Sequence, residues 1–277
     1  MNQFEITSIQ RGCVYDGTGV RTTVFFRGCM FKCPWCCNPE SLKNNPDRFI
    51  DDNKCLYKRN IHSLLCKDCV RLSGVGKIDN CPFGVSTPVS CRYTLNELLA
   101  FLIQDKSLYD ESNGGITLSG GDPIIQIDDL YLLLKRLKEK KISCNIETTL
   151  FYQNSKKILD VIPLIDEWII DLKFQKENYT DNYFQALVNN LALLRKNNCK
   201  IIFRYVYTAN SDKQFILTKI LEVNLKKIEI IKCHSLSLSK YKKLGLKMED
   251  FTPDDYNYNN MCVTLEECGI KVRQLKA

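Results

Sequence analysis

Residues 115–147 read GITLSGGDPIIQIDDLYLLLKRLKEKKISCNIE. The short apolar runs at the two ends, GITLS and SCNIE, predict strands, and the amphipathic pattern of residues 128–140 predicts a helix between them. A strand, a helix and a second strand in direct succession are typical of a parallel sheet with right-handed crossovers. This stretch therefore assigns the chain to the α/β class.

The same alternation continues on both sides of this unit. Further strands are predicted at residues 22–27, 167–171, 200–207 and 227–232. Further helices are predicted at residues 94–105, 154–162, 181–196 and 212–224. The first of these helices begins with a capping box, formed by Thr94 and Glu97. Six strands are too few for a closed eight-stranded barrel, so the pattern allows either a doubly wound open sheet or an incomplete barrel.

The composition argues against nucleic acid and membranes as partners. The 277 residues include 39 basic and 32 acidic side chains, and the basic run at residues 135–141 is typical of a solvated helix end. No aromatic or glycine-rich recognition motif accompanies that run, which argues against nucleic-acid binding. No stretch approaches the roughly 18 apolar residues of a membrane span. Residues 1–10 also lack the pattern of a signal peptide, so we expect a cytoplasmic protein without a membrane partner.

Ten of the fifteen cysteines lie between Cys13 and Cys91. In a reducing compartment this number indicates metal or redox chemistry rather than disulfides. The sharpest pattern is C-x3-C-x2-C directly after the first predicted strand, formed by Cys29, Cys33 and Cys36. Three thiolates at this spacing can hold one face of a four-iron cluster and leave one iron open. Zinc with Cys37 as a fourth ligand is the alternative, which the adjacency of Cys36 and Cys37 disfavours.

With the aromatic Trp35 before its last cysteine, this pattern resembles the hallmark of the radical S-adenosylmethionine superfamily. A longer series of motifs is similar to the glycyl-radical-enzyme activating enzymes, the pyruvate formate-lyase activating enzyme-like family. These motifs are residues 16–22 (DGTGVRT), 28–29, 33–40 (CPWCCNPE), 115–123, 147–148 and 171–173 (DLK), Arg204, His234 and residues 240–245 (KYKKLG). The resemblance covers nearly the whole chain. It implies a partial (β/α)6 TIM-type barrel with a small cysteine-rich insert after the first strand.

The resemblance also implies an activity. A [4Fe-4S] cluster with three cysteine ligands would reductively cleave S-adenosylmethionine, and the 5′-deoxyadenosyl radical would remove hydrogen from a glycine of a partner glycyl radical enzyme. The implied protein is a monomeric oxidoreductase that receives its electron from flavodoxin or ferredoxin. A radical enzyme of the same superfamily that acts on a small molecule or a peptide is the alternative. A ferredoxin-like carrier or zinc module without catalysis would leave the six-strand pocket unexplained.

Individual roles follow from the same resemblance. The implied cofactor contacts are Trp35, Gly120, Gly121, Asp122, Thr148, Asp171, Lys173, Arg204 and His234. Asp16 would contact the glycyl loop of the partner. Arg204 could instead form a buried structural ion pair, and the two glycines could mark a turn. Glu147 stands where some relatives have the Asp of a monovalent-cation site, and its longer side chain argues against that cation.

Residues 47–91 lack clean periodicity and are expected to form a metal-stabilised insert. Residues 1–46 and 92–277 are then left for the barrel domain. The candidate ligands of an auxiliary [4Fe-4S] cluster, with zinc as the alternative metal, are Cys55, Cys66, Cys69 and Cys81. Cys91 could replace Cys55, and His62 is a reserve ligand. The eight remaining cysteines are expected to be ordinary thiols: Cys13, Cys37, Cys91, Cys144, Cys199, Cys233, Cys262 and Cys268.

Overall fold

The computed structural model describes residues 3–61, 63–66, 69 and 81–275. The strands in these ranges are β1 (Gln3–Cys13), β2 (Arg21–Phe26), β3 (Arg48–Ile50), β4 (Ser86–Pro88), β5 (Cys91–Thr94), β6 (Gly115–Gly120), β7 (Ser143–Thr148), β8 (Glu167–Leu172), β9 (Ile201–Tyr207), β10 (Lys227–Lys232) and β11 (Lys271–Leu275). The α-helices are α1 (Leu95–Leu102), α2 (Lys106–Ser112), α3 (Ile127–Glu139), α4 (Ser155–Val161), α5 (Asp181–Lys196), α6 (Lys213–Val223), α7 (Leu238–Lys243) and α8 (Asp255–Glu267).

Nine of the strands form one sheet, in the order β11-β10-β9-β8-β7-β6-β2-β1-β5. All neighbours from β2 to β11 are parallel, whereas β1 is antiparallel to both β2 and β5. The six predicted strands are confirmed as β2 and β6 to β10, with helices between successive ones. These strands lie side by side in chain order without the reversal of a doubly wound sheet. The chain therefore has the partial (β/α)6 barrel fold.

The helices form where the sequence places apolar stripes and caps. In α3 the buried side chains are Ile127, Leu130, Leu133, Leu134 and Leu137, at the helical spacing that turns one face to the sheet. Helix α1 has its predicted capping box, because Thr94 accepts from the Glu97 backbone and the Glu97 carboxylate accepts from the Thr94 backbone. Burial of each such leucine stabilises the fold by about 2 kcal/mol.

Three strands of the main sheet and helices α2, α7 and α8 were not predicted. Strands β5 and β11 are the two edges of the sheet, and they are short, half exposed and rich in polar residues. An edge strand buries little of its surface, so its sequence carries a weak pattern. Helix α8 buries Tyr258, Met261, Cys262 and Leu265 at helical spacing, but asparagines and tyrosines obscure that stripe in the sequence.

Strands β3 and β4 lie in the predicted insert and pair with each other in a separate antiparallel sheet. The chain between them turns through short 3-10 segments, at Asp52–Lys54, Tyr57–Arg59 and Leu64–Cys66. His62 lies outside the described residues. Over the ranges that the structure describes, no helix has the length and apolar character required to cross a membrane.

Candidate active site

A cavity opens at the carboxyl ends of the parallel strands, where α/β barrels gather their functional groups. It encloses about 920 Å³ of empty space, counting its open mouth. Of the residues expected to bind cofactor or metal, it is lined by Cys29, Cys33, Trp35, Cys36, Gly120, Gly121, Thr148, Asp171, Lys173 and Arg204. Residues from positions 29 to 204 of the sequence thus meet in one place, because parallel strands end at the same edge of the sheet.

The three cysteines lie on the segment that follows β2, residues 27–38, here called the cluster loop. The Phe31 backbone N–H donates to the Cys29 sulfur, and the Asn38 backbone N–H donates to the Cys36 sulfur, both at 3.4 Å. The side-chain amide of Asn178 donates to the Cys33 sulfur at 3.1 Å. Each of the three sulfurs therefore accepts one hydrogen bond.

Burial raises the pKa of all three thiols, that of Cys29 to about 12. Thiols with such pKa values stay protonated at neutral pH, so a metal must displace their protons to bind. In the described part of the chain, no three His, Cys, Asp or Glu side chains are close enough to ligate one metal ion. A cubane is wider than one ion, since each thiolate binds a different iron. Half-buried cysteines whose sulfurs accept from N–H donors along one cavity wall fit a four-iron cluster.

The Gly120–Gly121 pair forms the wall next to the cluster loop. The Gly121 N–H donates to the Phe26 carbonyl at 2.9 Å, and the Asp122 N–H donates to the Gly28 carbonyl at 2.7 Å. A Cβ atom on Gly121 would lie 2.0 Å from that Gly28 carbonyl oxygen. Only glycine permits this approach, so the pair sets the position of the chain just before Cys29.

Asp122 is not among the residues that line the cavity. It is fully buried and accepts from the Thr148 hydroxyl at 2.6 Å, the Thr149 backbone N–H at 3.1 Å and the Thr149 hydroxyl. These bonds join the end of β6 to the end of β7. The side chain of Asp122 therefore holds the wall in place, and so does the hydroxyl of Thr148.

Two charged pairs line the rest of the cavity. The Lys173 ammonium lies 2.6 Å from one Asp171 oxygen, and the other Asp171 oxygen is buried with no hydrogen-bond partner in the structure described. Burial disfavours the charge on Lys173, but Asp171 and the neighbouring Cys33 raise its pKa well above the usual value. An unpartnered buried oxygen of this kind fits a polar ligand that donates hydrogen bonds.

Arg204 is held in a chain of ion pairs that reaches the surface at Arg273. One guanidinium nitrogen contacts Glu147 at 2.5 Å, a second contacts Glu229 at 3.1 Å, and Glu229 also contacts Arg273 at 2.9 Å. Ser119 donates to the other oxygen of Glu147 at 2.6 Å. Burial opposes the charge of Arg204, yet the two glutamates raise its pKa. The geometry is that of the structural ion pair that the sequence left open as an alternative.

Trp35, His234 and Asp16 occupy different surroundings. Trp35 is buried against the ring of Phe251, with 5.6 Å between ring centroids. His234 follows β10 at the cavity edge of the sheet but does not line the cavity, and its Nδ1 accepts from the Leu236 N–H at 3.3 Å. Asp16 precedes β2 and so approaches from the opposite edge, where its carboxylate accepts from the Thr23 hydroxyl at 2.6 Å.

The KYKKLG motif contacts the cluster loop. The Lys240 ammonium donates to the Cys37 carbonyl at 3.1 Å and to the Asn38 side chain at 3.0 Å, and it pairs with the buried Glu40 at 2.5 Å. The Tyr241 hydroxyl donates to the Pro34 carbonyl at 3.3 Å. Helix α7 thus fastens the loop from 200 residues away in sequence. The sequence analysis identified the motif, but no pattern in the sequence predicted these contacts or the contact of Asn178 with Cys33.

The four insert cysteines differ in exposure. Cys55 is buried, whereas Cys66, Cys69 and Cys81 are half-buried, as the three cluster-loop cysteines are. Partial burial and the proximity of the other three thiols raise the pKa of Cys66. The Cys69 N–H donates to the Cys66 carbonyl at 3.0 Å, which places these two in one turn. Cys37, expected to be an ordinary thiol, lines the main cavity.

Comparison with known proteins agrees with this geometry. A family model described as "4Fe-4S single cluster domain" matches residues 15–191. The pyruvate formate-lyase 2-activating enzyme of Escherichia coli is 31% identical over 87% of this chain and 80% of its own. The 4-hydroxyphenylacetate decarboxylase activating enzyme of Clostridium scatologenes is 30% identical over 88% of this chain and 87% of its own.

Among solved structures, Streptococcus suis SuiB bound to precursor peptide SuiA is 16% identical, with a TM-score of 0.48. That match covers 67% of this chain and 42% of SuiB. The fold assignment therefore depends on the strand order of this chain itself.

Proposed function

We infer the roles of individual residues from one premise: this chain belongs to the glycyl-radical-enzyme activating enzymes of the radical S-adenosylmethionine superfamily. Enzymes of this family are oxidoreductases that generate a glycyl radical on a partner enzyme. When bound, the [4Fe-4S] cluster supplies the electron that cleaves S-adenosylmethionine, and the resulting 5′-deoxyadenosyl radical removes a hydrogen atom from a glycine of the partner. The protein itself positions the reactants and excludes water.

We propose that Cys29, Cys33 and Cys36 hold the cluster and leave one of its irons without a protein ligand. The support is their common cavity wall and the N–H donor at each sulfur. The Gly121–Gly28 contact and the α7 contacts fix the loop from both sides. A rigid loop keeps the open iron at a constant place in the cavity, which orientation-dependent chemistry requires.

The methionyl end of S-adenosylmethionine is proposed to lie between the Gly120–Gly121 wall and the Asp171–Lys173 pair. The ammonium of Lys173 suits the carboxylate, and the unpartnered oxygen of Asp171 suits an amino or hydroxyl donor. Asp122 and Thr148 would act by holding the glycine wall, and Trp35 by packing beneath the loop. Arg204 would shape the cavity floor through Glu147.

We place His234 at the ribose, since it follows β10 at the same edge of the sheet. Asp16 is proposed to contact the glycyl loop of the partner. Its carbonyl and carboxylate accept hydrogen bonds from Thr117 and Thr23, which fixes the loop that carries it. A monovalent cation is not part of this proposal, because Arg204 and Ser119 already occupy the carboxylate of Glu147.

The remaining parts of the proposal concern residues 47–91 and the setting of the enzyme. Cys55, Cys66, Cys69 and Cys81 would bind an auxiliary [4Fe-4S] cluster, or zinc as the alternative. The barrel domain would comprise residues 1–46 and 92–277. The enzyme would be a cytoplasmic monomer that takes electrons from flavodoxin or ferredoxin.

The decisive test mixes the reduced enzyme anaerobically with S-adenosylmethionine and a candidate partner that carries a glycine-loop motif. A glycyl doublet in electron paramagnetic resonance, with formation of 5′-deoxyadenosine, is the expected result. Cofactor cleavage without a doublet on any such partner would favour the alternative, a radical enzyme for a small molecule or peptide. The cavity that unites the three cysteines with the Asp171–Lys173 pair carries the proposal.

A further inference from the structure

The donors to the three cluster-loop sulfurs are of two kinds. Cys29 and Cys36 accept from backbone N–H groups two residues further along the chain. Cys33 accepts from the side chain of Asn178, which lies 145 residues away in sequence. Since a backbone N–H survives most substitutions, the bond to Cys33 is the one of these three that a side-chain replacement can remove.

Asn178 is held firmly where it makes this bond. It lies between β8 and α5, and its backbone N–H donates to the Gln175 carbonyl at 2.9 Å. The Gln175 side chain in turn donates to the Val206 carbonyl on β9 at 2.6 Å. The Lys173 N–H is bound to the Tyr183 hydroxyl at 3.0 Å. The segment is therefore tied to β9 and α5 before it reaches the cluster loop.

The choice of partner is unusual for a buried amide. Asn178 is only 7% exposed, so little of its side chain reaches water. A thiol sulfur is a weak acceptor, and a buried donor without a good acceptor costs about 1–3 kcal/mol. An anionic, metal-bound sulfur is a much stronger acceptor. The arrangement is accounted for once Cys33 is a thiolate ligand.

We propose that Asn178 is a positioning residue that sets the reduction potential of the cluster through its hydrogen bond to the Cys33 sulfur. The inference rests on the three-cysteine ligation proposed above. Reduction adds one electron to the cluster and increases the negative charge on its sulfurs. An N–H donor stabilises that added charge, so it favours the reduced state and raises the potential.

The test is an anaerobic redox titration of the iron-loaded enzyme, followed by the electron paramagnetic resonance signal of the reduced cluster. Asn178→Leu removes the donor and keeps a branched side chain of four heavy atoms. We expect the equilibrium constant for reduction to fall about tenfold, which is 59 mV for a one-electron couple. Asn178→Gln keeps an amide donor and should stay within about threefold of the wild type, about 30 mV by the same constant. Asn178→Ala replaces the leucine variant if that variant does not load with iron.

The matched control is Asn190→Leu, which removes another buried amide, one that donates to the Leu150 and Tyr152 carbonyls and to no sulfur. Its potential should equal that of the wild type. Two outcomes overturn the inference: an unchanged potential in fully loaded Asn178→Leu, or an equal shift in fully loaded Asn190→Leu. A shift confined to Asn178→Leu in an enzyme that makes no glycyl radical would support the inference and reject the proposed activity, so the two failures are distinguishable.

Discussion

The cluster loop and the insert both supply cysteines, but the two regions differ in what holds the sulfurs. In the cluster loop every candidate ligand accepts an N–H bond, and the loop is fastened by the glycine wall and by Lys240. In the insert Cys55 follows one short 3-10 turn and Cys66 ends another, beside a two-stranded sheet. The barrel thus holds its candidate ligands in place through its own contacts, whereas the described part of the insert has little scaffold of its own. We expect metal to contribute more to folding in the insert than in the cluster loop.

The largest expected difference between the regions is in catalysis. Cys36→Ala should reduce cleavage of S-adenosylmethionine by about a thousandfold or more, about 4 kcal/mol of barrier, because the reactive cluster loses a ligand. Cys66→Ala should lose only the auxiliary metal and keep most of this cleavage. Iron and zinc analysis beside 5′-deoxyadenosine formation checks both variants. Equal losses of cleavage would mean that the insert metal belongs to the reaction itself.

Glycine-to-alanine substitutions compare how tightly the backbone is packed in the two regions. Gly121→Ala puts a Cβ 2.0 Å from the Gly28 carbonyl oxygen and should lower the free energy of unfolding by about 3 kcal/mol or more. The variant should also bind less of the cluster. Gly84→Ala in the insert meets no atom closer than 3.9 Å, at a φ of +64°, and should cost about 1 kcal/mol. Chemical denaturation measures both values. If Gly121→Ala destabilised the protein no more than Gly84→Ala, the glycine wall would be able to move away from the loop.

The third test uses the pH dependence of stability to examine the ion pair between Glu147 and Arg204. Burial opposes the charge on Glu147, but Arg204 and Ser119 outweigh it and hold the pKa of Glu147 below the ordinary 4.5. A depressed pKa stabilises the fold above the unfolded pKa, and this contribution is lost as pH falls through the folded value. Glu147→Gln should therefore be less stable by about 3 kcal/mol near neutral pH, with a smaller difference below about pH 4.5. A difference that does not change with pH would contradict the ion pair.

The smallest expected effect concerns two surface lysines. Lys240→Met leaves the buried Glu40 without its cation and should lower the free energy of unfolding by about 1–2 kcal/mol. It should also lower the amount of cluster that the enzyme binds. Lys58→Met in the insert breaks an exposed pair with Asp52 and should cost less than about 1 kcal/mol. Melting temperatures of the iron-loaded variants provide the comparison. Equal costs would show that α7 does not fasten the loop.

Local patterns in the sequence predicted much of the fold. The six parallel strands and the capping box of α1 depend on residues close together in the chain, and they are confirmed. The edge strands β5 and β11 were missed because half-exposed strands carry little apolar pattern.

The candidate site was predictable to a smaller extent. The cysteine triplet and the glycine pair are short motifs, and they meet in one cavity as expected. The Asn178 and Lys240 contacts join residues 145 and 200 or more positions apart, so only the folded chain reveals them. The bonds of Asp122 to the end of β7 could not be predicted from its motif either, because they depend on where β7 ends.

The paired charges of the cavity have a consequence for ionic strength. Apart from thiols, the ionisable side chains that line it are Glu147, Asp171, Lys173 and Arg204, two acidic and two basic. Each lies in an ion pair of 2.5 or 2.6 Å, so their fields largely cancel a short distance away. Salt weakens binding mainly by screening long-range electrostatic attraction, and these paired side chains exert little such attraction. These four side chains should therefore add little to any change in a charged ligand's affinity between dilute buffer and physiological salt.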